Sequence, residues 1–126
     1  MNYLQMLTFD RASGCGGRIA VRAIDVLRVY TLSRHATMVV CDLGGSETEI
    51  EVIGTFAEVA PSPLAVFTTV DSAGHKIGLR PFDVLRIEVA SPETTKVSFR
   101  MDDGKRISTF IAVGTFEQVL AEMSKQ

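Results

Sequence analysis

The chain has 126 residues, 46% of them hydrophobic and 22% charged, with a formal net charge of −2. Its balance excludes a disordered chain, and its acidic sequence pI of about 5.6 speaks against a protein that lives by neutralising phosphates. The length suits one compact domain or two small ones sharing a core, because a lone unit of about sixty residues buries only about 60% of its unfolded surface.

Taken in order, Leu4–Phe9 is apolar and β-branched or aromatic, so a strand is expected there. Gly14-Cys15-Gly16-Gly17 precedes Arg18–Arg22, which alternates with Ile19 and Val21 on one face. That glycine cluster is read as a hairpin, since a phosphate cradle opens onto a helix and this one opens onto a strand. Ala23-Ile24-Asp25 forms a tight connection to a third, half-buried strand, Val26–Thr31. Thr37–Cys41 and Glu47–Ile53 flank Gly44-Gly45 as a hairpin. Thr55-Phe56-Ala57-Glu58 fits a capping box; Pro61 and Pro63 cut its helix to about one turn and make Val59–Pro63 a linker.

The same succession follows again. Leu64–Val70 and Lys76–Arg80 are strands, joined through Pro81-Phe82-Asp83 to Val84–Val89. Lys96–Met101 and Lys105–Ala112 flank Asp102-Asp103-Gly104, a hairpin signal of the type I′ kind. Thr115-Phe116-Glu117-Gln118 is a second capping box, and its helix runs to about Lys125 with Phe116, Val119, Leu120 and Met123 on one face.

Displacing the chain by 58 residues lays Arg18–Val29 on Lys76–Ile87 with six identities in twelve positions, among them Arg22/Arg80, Asp25/Asp83 and Arg28/Arg86. Further on the displacement grows by one residue twice, placing Met38 on Val97, Cys41 on Arg100 and Gly54-Thr55-Phe56 on Gly114-Thr115-Phe116. We therefore expect an α+β, predominantly β protein: a tandem duplication of a short-strand unit closed by a helix, its two halves sharing a core. The first repeat spans residues 1–63 and the second 64–126.

Few residues point to chemistry. Cys15 and Cys41 lack metal or redox spacing, and His35 and His75 have no cysteine or carboxylate at ligand spacing. Neither a metal nor a cofactor is expected, and no nucleophile–base pair marks an enzyme. Asp25 and Asp83 are read as turn caps, with the recurring arginines covering sheet edges. Met1–Gln5 lacks the basic start of a signal peptide and no apolar run reaches the ~20 residues of a membrane span, so a cytoplasmic protein with reduced thiols and no membrane contact is expected.

Two features remain for binding. Glu47, Glu49 and Glu51 share one face of their strand, the best candidate for a protein-binding face. The matching strand of the second half is apolar on both sides, with Ile107, Thr109 and Ile111 on one and Ser108, Phe110 and Ala112 on the other. It should be covered on both, either by the other half or by another chain, which makes Ile107–Ala112 a candidate homodimer contact.

Asp83-Val84-Leu85, Pro92-Glu93-Thr94, Asp103-Gly104 and Thr115-Phe116-Glu117-Gln118-Val119 stand in the order of a pattern that resembles the FlbD-type family of small flagellar regulatory proteins. Asp83-Val84-Leu85-Arg86-Ile87-Glu88 also resembles a segment of LytTR-type DNA-binding domains. These likenesses cover Ile77–Met123. The first implies a small regulatory protein of a flagellar system; the reading favoured is a non-catalytic regulatory or adaptor protein acting on another protein, from a flagellar system or from a phage or mobile element that inhibits a host machine. The second implies a nucleic-acid-binding regulator using Arg80, Arg86, Arg100, Lys105 and Arg106, which the acidic composition makes the less favoured reading.

Overall fold

The structure, a computed structural model, describes residues 5–12, 17–61, 64–70, 74–101 and 104–124. It is α+β and mostly β, and its contacts divide the chain into units of residues 1–62 and 63–126.

In the first unit β1 (Met6–Asp10) and β2 (Arg18–Arg22) form an antiparallel hairpin that sets Phe9 opposite Ile19. The cluster Gly14-Cys15-Gly16 lies outside the described residues. A 3-10 turn over Ala23–Asp25 supplies the tight connection to β3 (Val26–Thr31), β4 (Ala36–Leu43) and β5 (Ser46–Ile53), which pair antiparallel in the order β3-β4-β5. A bridge from Arg11 to Val52 ties the hairpin to β5, and the single turn α1 (Phe56–Val59) closes the unit.

The second unit has the same order of elements. Its hairpin is β6 (Ala65–Thr68) with β7 (Lys76–Leu79), followed by a 3-10 turn over Pro81–Asp83. Then come β8 (Val84–Ser91), β9 (Thr94–Met101), β10 (Arg106–Val113) and α2 (Phe116–Met123), with a bridge from Thr69 to Ala112. β8 bulges after Val84 as β3 does after Val26, and bulges again after Val89; such kinks discourage edge-to-edge pairing.

Pairing register corrects the internal alignment. Val26 pairs with Cys41 and Val29 with Val39, while Val84 pairs with Phe99 and Ile87 with Val97, so both strands keep the displacement of 58. Cys41 therefore corresponds to Phe99, and Asp42 to Arg100. The whole two-residue difference falls in one hairpin. Leu43 pairs with Ser46 around Gly44 and Gly45, both at positive φ as a type I′ turn requires, whereas Met101 pairs with Arg106. The type I′ reading of Asp102-Asp103 lies outside the described residues, and the four positions between Met101 and Arg106 exceed a two-residue turn.

Alternation gives each three-stranded sheet an inner and an outer face. On the inner face of the first unit Val26, Val29, Val39, Cys41, Ile50 and Val52 are buried, and α1 packs on β3 and β4 with Phe56 and Val59. In the second unit Val97, Phe99 and Ala112 are buried, and Phe110 sets its ring centroid 5.8 Å from Phe67 and 6.0 Å from Phe99. The predicted apolar stripe of α2 is narrower than expected: Val119 is buried but Leu120 is 47% exposed. Glu122 instead faces the strands and accepts the Val66 N–H at 3.0 Å.

One construction recurs at each helix start. Thr37 and Thr95, both 0% exposed, donate through Oγ1 to the carbonyls of Gly54 (2.9 Å) and Gly114 (3.0 Å). The same glycines donate their N–H groups to the His35 and Glu93 carbonyls at 2.8 and 2.9 Å. Their φ values of 135° and 130° suit only glycine, and they aim Thr55 and Thr115 to cap the helices in complete capping boxes. Removing the hydroxyl alone, in Thr37→Val or Thr95→Val, should cost about 1–2 kcal/mol in denaturant melts, the cost of an unpaired buried carbonyl. A Cβ at Gly54 would meet Val59 Cγ2 at 3.0 Å, whereas at Gly114 the nearest atom is the capping oxygen of Gln118, at a looser 3.3 Å. Gly54→Ala should therefore lower stability by about 2 kcal/mol or more and Gly114→Ala by less, although both carry the same backbone strain.

Candidate functional site

The outer faces of the two sheets differ far more than the inner ones. In the first unit the register places Arg28, Val40 and Glu49 in one row, Tyr30, Met38 and Glu51 in the next, and Asp42 beside Glu47. That face carries one cation, Arg28, against four carboxylates: Asp42, Glu47, Glu49 and Glu51. In the second unit the rows are Arg86, Ser98 and Thr109, then Glu88, Lys96 and Ile111, then Arg100 beside Ile107. Here three cations stand against one carboxylate, and the positions of the three β5 glutamates hold Ile107, Thr109 and Ile111.

The three glutamates predicted as a binding face are brought together as expected, but they do not share a role. Glu47 is tied across β4 to Arg28, whose side chain is 4% exposed, in a two-pronged ion pair. The Arg28 Nε also donates to the Tyr30 hydroxyl at 2.7 Å. Burial opposes the charge on Arg28, but its bonds to Glu47 and Tyr30 outweigh that and raise its pKa. Burial likewise raises the Tyr30 phenol, with Arg28 pulling the other way. Glu49 and Glu51 are exposed and make no ion pair among the described residues.

The expectation that the recurring arginines cover sheet edges fails at Arg28. The expectation that β10 is covered on both sides fails too: Ile107 is 67% and Val113 55% exposed, and Thr109 is exposed between them. Only the other side, with Phe110 and Ala112, turns inward to pack within the unit.

Three of the five cations expected to serve nucleic acid pair with carboxylates of their own unit. Arg80 pairs with Asp83 at 2.8 Å, and Arg100 reaches the same carboxylate at 3.3 Å and the Phe82 carbonyl at 3.0 Å. Both guanidiniums lie over the Phe82 ring, at 4.4 and 5.5 Å from its centre. Arg86 pairs with Glu88 at 2.9 Å, while Lys105 and Arg106 sit exposed beside the β9–β10 turn. Asp25 binds Arg22 at 2.7 Å as Asp83 binds Arg80, so this recurring pair fixes the 3-10 turn in each unit.

The Arg28–Glu47 pair went unrecognised in the sequence because its partners lie nineteen positions apart; the clue was that alternation puts Arg28 and the glutamates on one face. The charge reversal from Asp42 to Arg100 becomes visible only with the corrected register. Cys41 is 0% exposed, and burial first, then Asp25, push its thiol up to about 11. Cys15 lies outside the described residues. Among the described residues no cluster of three potential metal ligands occurs, and no helix is long and apolar enough to cross a membrane.

Two outcomes follow. Glu47→Gln leaves a buried guanidinium uncompensated and should cost about 3 kcal/mol, whereas replacing both partners by Met should cost far less, as a double-mutant denaturation cycle would show. In a Cys15→Ser background, Cys41 should not react with a thiol reagent at pH 8, below the range where its thiolate forms, and should react once the chain is unfolded. No family model, no curated protein and no solved structure matches this chain.

Proposed function

We propose that the chain is a non-catalytic regulatory or adaptor protein that acts by binding another protein chain through the outer face of β8–β10. One observation carries this reading: Ile107, 67% exposed, stands on the edge strand β10 of a regular sheet face, across from Arg100, with Lys96 and Arg86 on the neighbouring strands. An exposed apolar residue with arginine and lysine beside it on a sheet face suits contact with another protein. The likeness of Ile77–Met123 to small flagellar regulators supports a regulatory role, and the exposed Glu49 and Glu51 of the first unit offer a second contact surface.

A photo-crosslinking amino acid at position 107, introduced into the native host, tests the reading. It should capture a discrete protein species, and one at Glu117 on the exposed side of α2 should not. Crosslinks at position 107 no stronger than those at 117 would reject this face as a binding site.

A further inference from the structure

We infer that the outer face of β8–β10 is built to receive the outer face of β3–β5 from a second copy of this chain. The inference rests on the binding role proposed above and names the partner.

The occupant follows from the opposite charge balance of the two faces. The receiving face presents Arg86 on β8, Lys96 and Arg100 on β9, and Ile107 and Ile111 on the edge strand β10; Arg86 and Arg100 are paired with Glu88 and Asp83, and Glu88 is the one carboxylate of the face. A flat partner with several carboxylates and an apolar centre fits it. The outer face of β3–β5 has that composition: Glu49 and Glu51 exposed along one edge, Asp42 nearby, and Met38 half-buried between Tyr30 and Glu51. One corresponding position reverses its charge outright, Asp42 standing where the other unit has Arg100.

Two further facts favour a face over an edge. β8 carries two bulges along its edge, which spoil a regular ladder with an added strand. Glu49 and Glu51 are exposed and make no ion pair among the described residues. Glu47 is already engaged by Arg28 and contributes shape rather than attraction.

The contact is heterologous: an acidic face on one copy and a basic apolar face on the other. Such an interface gives a test that simple self-association does not. Sedimentation of the wild-type chain from about 1 to about 500 μM at low salt should show association, about tenfold weaker in ~0.5 M NaCl, where exposed charges are screened. The double variant Glu49→Lys/Glu51→Lys loses only the acidic face, and Lys96→Glu/Ile107→Glu only the receiving face. Circular dichroism melts establish that each variant is folded. Each alone should be monomeric, and the equimolar mixture should recover a two-chain complex through the faces left intact.

A wild-type chain that stays monomeric across the concentration series overturns the inference, as does a mixture of the folded variants that stays monomeric. If crosslinking from position 107 nevertheless captures a different protein, the second-copy inference falls while the binding role stands. If neither association nor a crosslink occurs, both fall.

Discussion

Each unit depends on a single buried hydrogen bond between a threonine and a glycine carbonyl. The chain must leave the last strand of a three-stranded sheet and start a helix after only two residues, and a strand end has no spare donors to guide that turn. Thr37 and Thr95 provide the donor from the neighbouring strand, and the glycine provides the φ that lets its carbonyl point back at the threonine. With the glycine pinned from both sides, the next threonine caps the helix and the phenylalanine after it lies under the sheet. Gly-Thr-Phe recurs as three consecutive residues because each does one part of that job.

That clamp acts on the inner side, which leaves the outer sides of the sheets unconstrained by it. The inner rows keep similar apolar residues in both units, Val29 and Val39 against Ile87 and Val97. The outer rows share little beyond Arg28 and Arg86. Residues that fill a core answer to volume, and residues on an open sheet face answer to whatever meets them. A scaffold of this kind can carry opposite charge on two equivalent faces at little cost in stability.

Much of this was legible in the sequence. The strand order, the 3-10 connections, both capping boxes and the truncation of α1 at Pro61 all follow from local rules acting on neighbouring residues. Register across the β9–β10 turn was not legible, because the two extra residues could be shared between connections as readily as placed in one turn. The error moved Cys41 from Phe99 to Arg100 and hid the exchange of Asp42 for Arg100. Burial of Arg28 was also hidden: its local sequence, Asp-Val-Leu-Arg, is identical to that around Arg86, which is exposed.

The two arginines show how the outer faces came to differ physically. Arg86 finds its carboxylate two residues along its own strand, at Glu88, and both remain in solvent. At the position of Glu88 the first unit has Tyr30, which offers a hydroxyl and no charge, so Arg28 must reach across β4 to Glu47 to be neutralised. A buried guanidinium without that carboxylate would be costly, which commits Glu47 to the fold. The second unit has no such debt, and the position of Glu47 can hold Ile107. An apolar residue is admitted to that face because its arginine was satisfied locally. The acidic face of one unit and the cationic face of the other, with its exposed isoleucine, are thus two consequences of where a single arginine finds its counter-ion.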